Sequence, residues 1–356
     1  MAPSNAKNLD YLIPLVQREA IMAGLLLPPG AKYPDGSPIG QPFPRIPVPK
    51  GLRVGTGWRI RTEGQTITPA DLVNYEHPYD SGQEIHQHLT NYEKIQIPLT
   101  RWAGMDGRDK DHIMGTTAPD DLDAEIGFGL REVLYASVEQ RLATNLTTLT
   151  NYTANATPGP GFCVNCVAAP WTNPLIDPIN DPTSGLITAL RSMFVLGKYP
   201  DGILMDLASW AALTGNPLAQ AYVRPFIMMT AQNMGEGATL TRVSVQAAIK
   251  IDPYPAVEVF LGAGSYMGTL TPDGLYDASE ITQIWPQGYA IIYCRGGIKA
   301  DRLRGQAFCV VNDGGDEFDT STEAGFSTLQ TKYRYVLYSG HNVIDWTNAT
   351  LLYALA

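Results

Sequence analysis

A run of eight prolines in residues 28–49 constrains the fold of this chain more than any other feature. Proline lacks a backbone N–H and clashes with the preceding helical turn, so the run cannot form a helix interior and offers few donors to a sheet. It therefore predicts an extended, polyproline-like segment that is ordered only where a surface holds it. Just before it, the spacing of apolar residues in 11–27 predicts one amphipathic helix.

The composition excludes several classes of protein. Of the 356 residues, 44% are hydrophobic, which is enough for one large core or two smaller ones. The formal net charge of −10 and the lack of a basic run argue against a protein that grips nucleic-acid phosphates or a membrane surface. No stretch near the N-terminus approaches the ~20 apolar residues of a membrane span, so we expect a soluble protein made in a cytoplasm.

Two strand-like runs enclose a polar stretch that is rich in turn-forming residues. The apolar residues of 52–60 punctuate the first run, and Ile95, Ile97 and Leu99 alternate strictly in the second. The stretch between them contains too little apolar surface to build a core of its own. The pattern therefore predicts a long hairpin or flap that rests on another surface.

The clearest helix is predicted for residues 117–148. Thr117 supplies an N-cap and Pro119 an early proline, and apolar residues then follow a helical period. Such a helix would have roughly thirty residues and a length of about 45 Å. Gly127 and Gly129 weaken its interior, which suggests close packing or a bend at that point.

The remaining elements are shorter and are separated by Pro/Gly turns. The pattern predicts a loop for 151–180, helices for 182–196, 207–213 and 217–223, and strands for 203–205, 243–251, 257–261 and 289–293. Residues 330–356 predict a three-stranded meander with strands at 331–338, 342–345 and 350–353. Its two turns are expected at Ser339-Gly340 and at residues 346–348.

Two groups of residues have the composition of a metal site. His86 and His88, with Glu84 nearby, would point to the same face of a strand, so both imidazoles could reach one ion. This group is the basis of one alternative function, a cytosolic metalloenzyme. Cys163 and Cys166 form a C-x-x-C pair, but without a second close pair we expect buried or loop thiols.

The sequence contains no recognisable catalytic motif. It lacks the Walker motif, the nucleophile elbow and the H-E-x-x-H zinc motif. The glycine-rich residues 262–268 resemble a dinucleotide-binding fingerprint, but the residues that follow them cannot begin the helix that this motif requires. An acidic run at 312–319 lacks the spacing of a calcium loop. We therefore expect no enzyme, no catalytic residue and no cofactor.

Three stretches carry a resemblance to a known family. The first is residues 94–99 followed by 108–111 and by Glu139-Gln140-Arg141-Leu142 in the long helix. The second is the strand and helix of 202–213 followed by Asn216-Pro217, and the third is the ending, residues 333–352. Together with the order of the elements, they resemble the major capsid proteins of tailed double-stranded-DNA bacteriophages. The same fold occurs in encapsulins and in the herpesvirus capsid floor.

The resemblance implies an α+β fold with the parts of that family. These would be an N-terminal arm (1–51), an extended β-hairpin loop (52–100), a peripheral domain with the spine helix (101–182 and 308–356) and an axial domain (183–307). Members of the family form hexamers and pentamers of an icosahedral or prolate shell around packaged DNA. The arm and the loop would drape over adjacent subunits.

The resemblance also implies partners and a location. The chain would bind copies of itself, a separate scaffolding protein, a portal protein and a decoration or cement protein, and it would enclose DNA without sequence-specific binding. It would assemble in the host cytoplasm, become part of the virion and contact no membrane. An encapsulin-type nanocompartment shell is the nearest alternative, and a β-rich adhesin or tail component is a further one.

Overall fold

The structure is a computed structural model. It describes residues 25–28, 33, 37–49, 52–60, 92–109, 119–154, 163–195, 197–230, 240–252, 254, 256–267, 281–296, 307–312, 317–324, 329–343 and 346–356. Most of the buried apolar side chains in these ranges belong to one continuous core. A second small cluster joins Val48, Ile97 and Cys309.

Fourteen strands and six α-helices lie in the described ranges, numbered here in chain order. The strands are β1 (Arg45–Pro47), β2 (Val54–Ile60), β3 (Tyr92–Pro98), β4 (Thr100–Asp109), β5 (Cys163–Asn165), β6 (Gly202–Asp206), β7 (Glu258–Gly262), β8 (Ser265–Met267), β9 (Ile281–Gln283), β10 (Tyr289–Tyr293), β11 (Phe308–Asn312), β12 (Glu317–Ala324), β13 (Leu329–Val343) and β14 (Ala349–Tyr353). The helices are α1 (Pro119–Thr147), α2 (Leu149–Ala154), α3 (Leu186–Val195), α4 (Leu207–Gly215), α5 (Pro217–Thr230) and α6 (Arg242–Ala248).

The first large sheet is organised around β13, which is 15 residues long. The order of its path is β1-β11-β13-β12, and β4 pairs with the other edge of β13. The pairs of β13 with β4, β11 and β12 are antiparallel, whereas β1 runs parallel to β11. Helix α1 packs against β4 and β13. At Gly104 this approach is so close that an added Cβ would lie 3.2 Å from Leu130 Cδ2.

The second large sheet has the order β5-β14-β10-β6-β7. Strand β10 is antiparallel to both of its neighbours, whereas β6 and β7 are parallel. All five residues of β6 are buried, as expected for a central strand that is covered on both faces. Helix α4 contacts β6 and β7, and α6 contacts β7.

The predicted hairpin is confirmed for its base. Strands β2 and β3 are antiparallel, with Val54 opposite Pro98 and Ile60 opposite Tyr92. The tip of the hairpin, residues 61–91, lies outside the described residues, and so do Glu84, His86 and His88. Strand β4 continues from β3 and was not predicted.

The long helix is confirmed as α1, and five further predictions hold. Strands β6, β7 and β10 lie where they were predicted, and α4 and α5 begin at Leu207 and Pro217 as expected. Thr117, the predicted N-cap of α1, lies outside the described residues. Gly129 is exposed, and an added Cβ there would meet no atom within 4 Å, so close packing does not explain this glycine.

The strand predicted at 243–251 is wrong, because α6 occupies most of that stretch. Thr241 caps the helix: its hydroxyl accepts from the Ser244 N–H, and the Ser244 hydroxyl accepts from the Thr241 N–H. A strand would place Val243 and Val245 on the same face, but Val245 is buried while Val243 is exposed. The capping box outweighed the weak strand propensity of so short a run.

The closing meander is wrong in its first turn and in its pairing, whereas its last strand is confirmed as β14. Strand β13 passes straight through Ser339-Gly340, where a turn had been expected. Glycine is needed there because an added Cβ would lie 2.4 Å from the Pro98 carbonyl oxygen at the end of β3. Strand β14 then pairs with β10 in the second sheet. The closing strands are therefore divided between two sheets, and the predicted domain division remains a proposal.

Three shorter predictions need correction at their ends. Helix α3 begins at Leu186 and not at residue 182, because the Asp181 carboxylate accepts from Thr183 N and Ser184 N and holds a separate turn. The helix does end at Gly197, which has a φ of 72°. The predicted loop at 151–180 contains the end of α2 and all of β5. Residues 25–28 are not helical, and residues 11–24 of the predicted first helix lie outside the described ranges.

Gly129 and Gly340 give a direct test of the packing described at these two positions. We expect Gly129→Ala to raise the free energy of unfolding by about 1 kcal/mol, because alanine is the better helix former and its Cβ enters open space. Gly340→Ala should lower it by about 1–3 kcal/mol, because the new Cβ overlaps backbone. Urea denaturation of both variants measures the changes. A loss of stability in Gly129→Ala would contradict the open space described around Gly129.

Candidate functional site

The described part of the proline-rich arm, residues 37–49, is held by the protein's own chain. Strand β1 runs parallel to β11, and the Pro44 carbonyl accepts from Val310 N at 3.0 Å. The Tyr293 hydroxyl donates to the Pro42 carbonyl at 2.7 Å, and Phe43 stacks on the ring of Tyr293. The extended surface contact that the prolines predicted is therefore present, and the surface is intramolecular.

The arm also covers the outer edge of β7. The Leu261 N–H, which belongs to this edge strand, donates to the Tyr33 hydroxyl at 3.2 Å. The Arg242 guanidinium lies 3.6 Å from the centre of the Tyr33 ring and donates to the Ser37 hydroxyl at 2.6 Å. An open strand edge is a template for unwanted pairing, and the arm satisfies part of this one.

A partly buried ion-pair cluster fixes the next portion of the arm. Arg295 donates to Glu258 at 2.7 Å and to Asp201 at 3.4 Å. The same guanidinium donates to the Gln41 carbonyl of the arm at 3.4 Å. Gly40 leaves room for this arrangement, because an added Cβ would lie 2.7 Å from a Glu258 carboxylate oxygen.

The junction between the arm and the long helix is the carboxylate of Glu139. Its Oε2 accepts from Leu26 N at 2.7 Å and from Leu27 N at 3.1 Å, and its Oε1 accepts from Trp285 Nε1 at 2.8 Å. The side chain is fully buried. Burial raises the pKa of Glu139 to about 7, although the hydrogen bonds from Trp285, Leu26 and Leu27 oppose that rise.

Two glycines allow this junction to close. An added Cβ at Gly262 would lie 2.3 Å from the Trp285 ring, and one at Gly264 would lie 2.9 Å from Leu25 Cδ2. These are the first glycines of the run that resembled a dinucleotide fingerprint. Their role here is close packing, which agrees with the rejection of that motif.

Sequence reasoning missed the role of Glu139. A signal for it was present, because Glu139 follows Tyr135 by four residues and precedes Leu142 by three, on the buried stripe of α1. A carboxylate on such a stripe needs donors from another segment. The pattern of the helix alone does not say which segment supplies them.

The pair of helices α4 and α5 presents a surface with almost no charge. Arg224 is the single charged residue among the 24 residues from 207 to 230. Leu218 is 41% exposed, and Ala211 and Ala221 are exposed as well. Leu175, on the adjoining loop, is 84% exposed. We call these exposed residues of α4, α5 and Leu175 the helix-pair surface. Apolar surface of this kind marks contact sites.

Asn216 holds the helix-pair surface in place. Its Nδ2 donates to the carbonyls of Trp171, Asn173 and Ile176 at 2.9–3.1 Å, which ties down the loop that carries Leu175. Its Oδ1 accepts from Leu218 N at 2.9 Å and so caps α5. Pro217, at the first position of α5, completes the Asn-Pro pair that forms part of the family resemblance.

The metal-like residues do not form a site in the described ranges. No group of three or more His, Cys, Asp or Glu residues there is arranged to hold a metal ion. Cys163 is half-buried and Cys166 buried, and both are free thiols. Burial raises the pKa of Cys163, and it raises that of Cys166 to about 11, so neither is a ready thiolate ligand. Glu84, His86 and His88 lie outside these ranges.

No helix in the described ranges is long and apolar enough to cross a membrane.

The Glu139 junction predicts a pH dependence of stability. The pKa of Glu139 is near 7 in the folded protein, against an ordinary value of 4.5, so its contribution to stability is fully present below pH 4.5 and is lost as the pH rises through 7. The loss amounts to about 3 kcal/mol at most. We expect urea denaturation at pH 5 and pH 8 to show it, and Glu139→Gln to remove it. Glu132→Gln, an exposed change on the same helix, should leave it; equal pH profiles for all three proteins would contradict the prediction.

Comparisons with known proteins rest on structure alone, because the sequence matches no family model and no curated protein. A phage-related protein from Bordetella bronchiseptica RB50 is 14% identical, with a TM-score of 0.56 over 88% of this chain and 90% of that chain. The capsid of cyanophage P-SCSP1u is 11% identical, with a TM-score of 0.49 over 88% and 86%. The capsid of a native GTA particle is 11% identical, with a TM-score of 0.49 over 89% of both chains. The chain therefore shares its fold with the phage-related protein of Bordetella bronchiseptica.

Proposed function

We propose that the chain is the major capsid protein of a tailed double-stranded-DNA bacteriophage. The observation that carries the proposal is the fold shared with the phage-related protein over nearly nine-tenths of both chains. The sequence motifs point the same way independently, because the order of arm, hairpin, long helix and two mixed blocks was taken from the residues alone. Fold likeness at 14% identity says nothing by itself about activity.

In this proposal the helix-pair surface joins neighbouring subunits around a ring. Copies in a ring meet through two different patches, and rotation closes the contact into hexamers and pentamers. A surface with one charge in 24 residues suits such a contact, because little charge has to lose its water when the two patches meet. Residues 183–307 would then be the axial domain, and residues 101–182 and 308–356 the peripheral domain.

The β2–β3 hairpin would be the extended loop that lies on an adjacent subunit. A two-stranded ribbon is marginally stable alone and gains stability when another surface covers it. The arm would play a different part from the one the resemblance implied. Its described residues pack on their own subunit, so we assign the contacts between subunits to the hairpin and to the helix-pair surface.

The proposal includes the partners and location of a phage head. The shell would require a scaffolding protein and a portal protein, would accept a decoration protein, and would become part of the virion after assembly in the host cytoplasm. The net charge of −10 would keep packaged DNA from sticking to the shell. Tight binding of DNA to assembled shells at low salt would contradict this last point.

Electron microscopy of negatively stained protein tests the proposal. We expect closed shells, tubes or hexamer-sized rings when the chain is expressed alone or with the product of the gene upstream of it. A uniform small oligomer in both preparations would overturn the proposal. Shells that carry an enzyme cargo and whose gene lies apart from portal and terminase genes would favour the encapsulin-type alternative.

A matched pair of variants tests the surface. We expect Leu218→Arg to reduce assembly at least tenfold, because the guanidinium loses water when the rings close. Val195→Arg is the control, since Val195 is 87% exposed and lies outside the helix pair. Light scattering measures assembly, and far-UV circular dichroism checks folding. Normal assembly of Leu218→Arg would contradict the assigned contact while leaving the shell function intact.

A further inference from the structure

One face of α1 is exposed, whereas other parts of the helix pack against β4 and β13. Its exposed residues are Gly129, Val133, Gln140 and Thr144, and Ser137, which is half-buried, lies between them. Val133 is 63% exposed, and space is open above Gly129. Tyr266 stands at one end of this face, 37% exposed, and its hydroxyl accepts from Gln140 Nε2 at 3.1 Å.

The polar groups of this face already have partners within the helix. The Ser137 hydroxyl donates to the Val133 carbonyl at 2.8 Å, and the Thr144 hydroxyl donates to the Gln140 carbonyl at 2.9 Å. Ser137 and Thr144 therefore offer methylene and methyl groups outward more than they offer donors. Together with the exposed side chain of Val133 and the partly exposed Tyr266 ring, they make an apolar strip on the surface.

The described chain begins beside this face. Leu26 and Leu27 are fixed to Glu139, which is the neighbour of Gln140 in α1. Leu25 lies against Gly264, two residues before Tyr266. Leu25, at which the described chain begins, therefore lies close to Gln140 and Tyr266.

The 24 residues that precede Leu25 include a segment whose apolar side chains favour burial. Residues 11–23 are apolar except for Gln17, Arg18 and Glu19, and their spacing predicts a helix. Thirteen helical residues span about 20 Å, and the twelve residues of α1 from Gly129 to Gln140 span about 18 Å. Residues 11–23 are thus long enough to cover the exposed face while staying attached to Leu25.

We propose that the N-terminal segment, residues 11–23, docks along the exposed face of α1 in the same chain. Leu15 and Val16 would contact the strip between Val133 and Gln140, with Arg18 directed to solvent. Docking would bury Val133 and would extend the attachment of the arm from Glu139 along the helix. This inference does not depend on the shell function, because it concerns contacts within one subunit.

Limited proteolysis tests the docking in the unassembled full chain at low micromolar concentration. Trypsin can cut after Lys7 and Arg18, and a docked segment protects Arg18 but not Lys7. We expect Val133→Asp to speed cleavage at Arg18 at least tenfold, and Val195→Asp, an exposed site elsewhere, to leave it unchanged. Cleavage at Arg18 in the parent chain as fast as at Lys7 would overturn the proposal.

A reciprocal experiment identifies the occupant of the face. In Val133→Cys, maleimide labelling should be at least tenfold slower than in Val195→Cys, and adding Leu15→Asp and Val16→Asp should abolish that difference. Protection that survives these two changes would show that another segment covers the face and would overturn the proposal. Protection that disappears on dilution would assign the cover to a second copy, which also contradicts it.

Discussion

The buried carboxylate of Glu139 is the contact on which the rest of the arrangement depends. Three N–H groups from two distant parts of the chain converge on it, at 2.7–3.1 Å, in a place without solvent. A buried acceptor is costly to leave unpaired, so the helix, the start of the arm and the Trp285 segment hold one another in position. Loss of any one donor leaves the carboxylate short of a partner. The junction therefore favours one arrangement over its alternatives more than it adds net stability.

The arm extends this arrangement across both large sheets. It begins at Glu139, supplies a hydroxyl to the edge of β7, passes Arg295 and ends as a strand beside β11. Because β7 belongs to one sheet and β11 to the other, the arm joins them without contributing a domain of its own. Proline suits this path, since most arm contacts are made by carbonyl groups and rings and few require an arm N–H. The proline-rich segment is thus part of the core.

The sequence correctly predicted the elements whose ends depend on neighbouring residues. The predictions were wrong where contacts with distant residues determine the structure. Asp206 and Asn216-Pro217 predicted the starts of α4 and α5, because a cap and a first-turn proline act within four residues. Gly340 was taken for a turn, yet its glycine is required by Pro98, more than 200 residues earlier. Residues 243–251 were predicted as a strand, but the capping box of Thr241 and Ser244 begins helix α6 there. Glu139 shows the same limit at the site, since its donors come from residues that the helix pattern cannot name.

The distribution of charge links the fold to assembly. Each subunit carries a formal charge of −10, so copies of this chain repel one another at long range and do so less in salt. Such copies can form a ring only if the surfaces that meet add no further repulsion and bury apolar area. The helix-pair surface satisfies both conditions, because Arg224 is the one charge on two helices and Leu175 and Leu218 remain exposed. The loop and both helices that make this surface depend on Asn216, a neutral residue that satisfies three carbonyls without adding charge. A carboxylate at that position could cap α5 but could not donate to the loop, so the proposed contact requires an amide there.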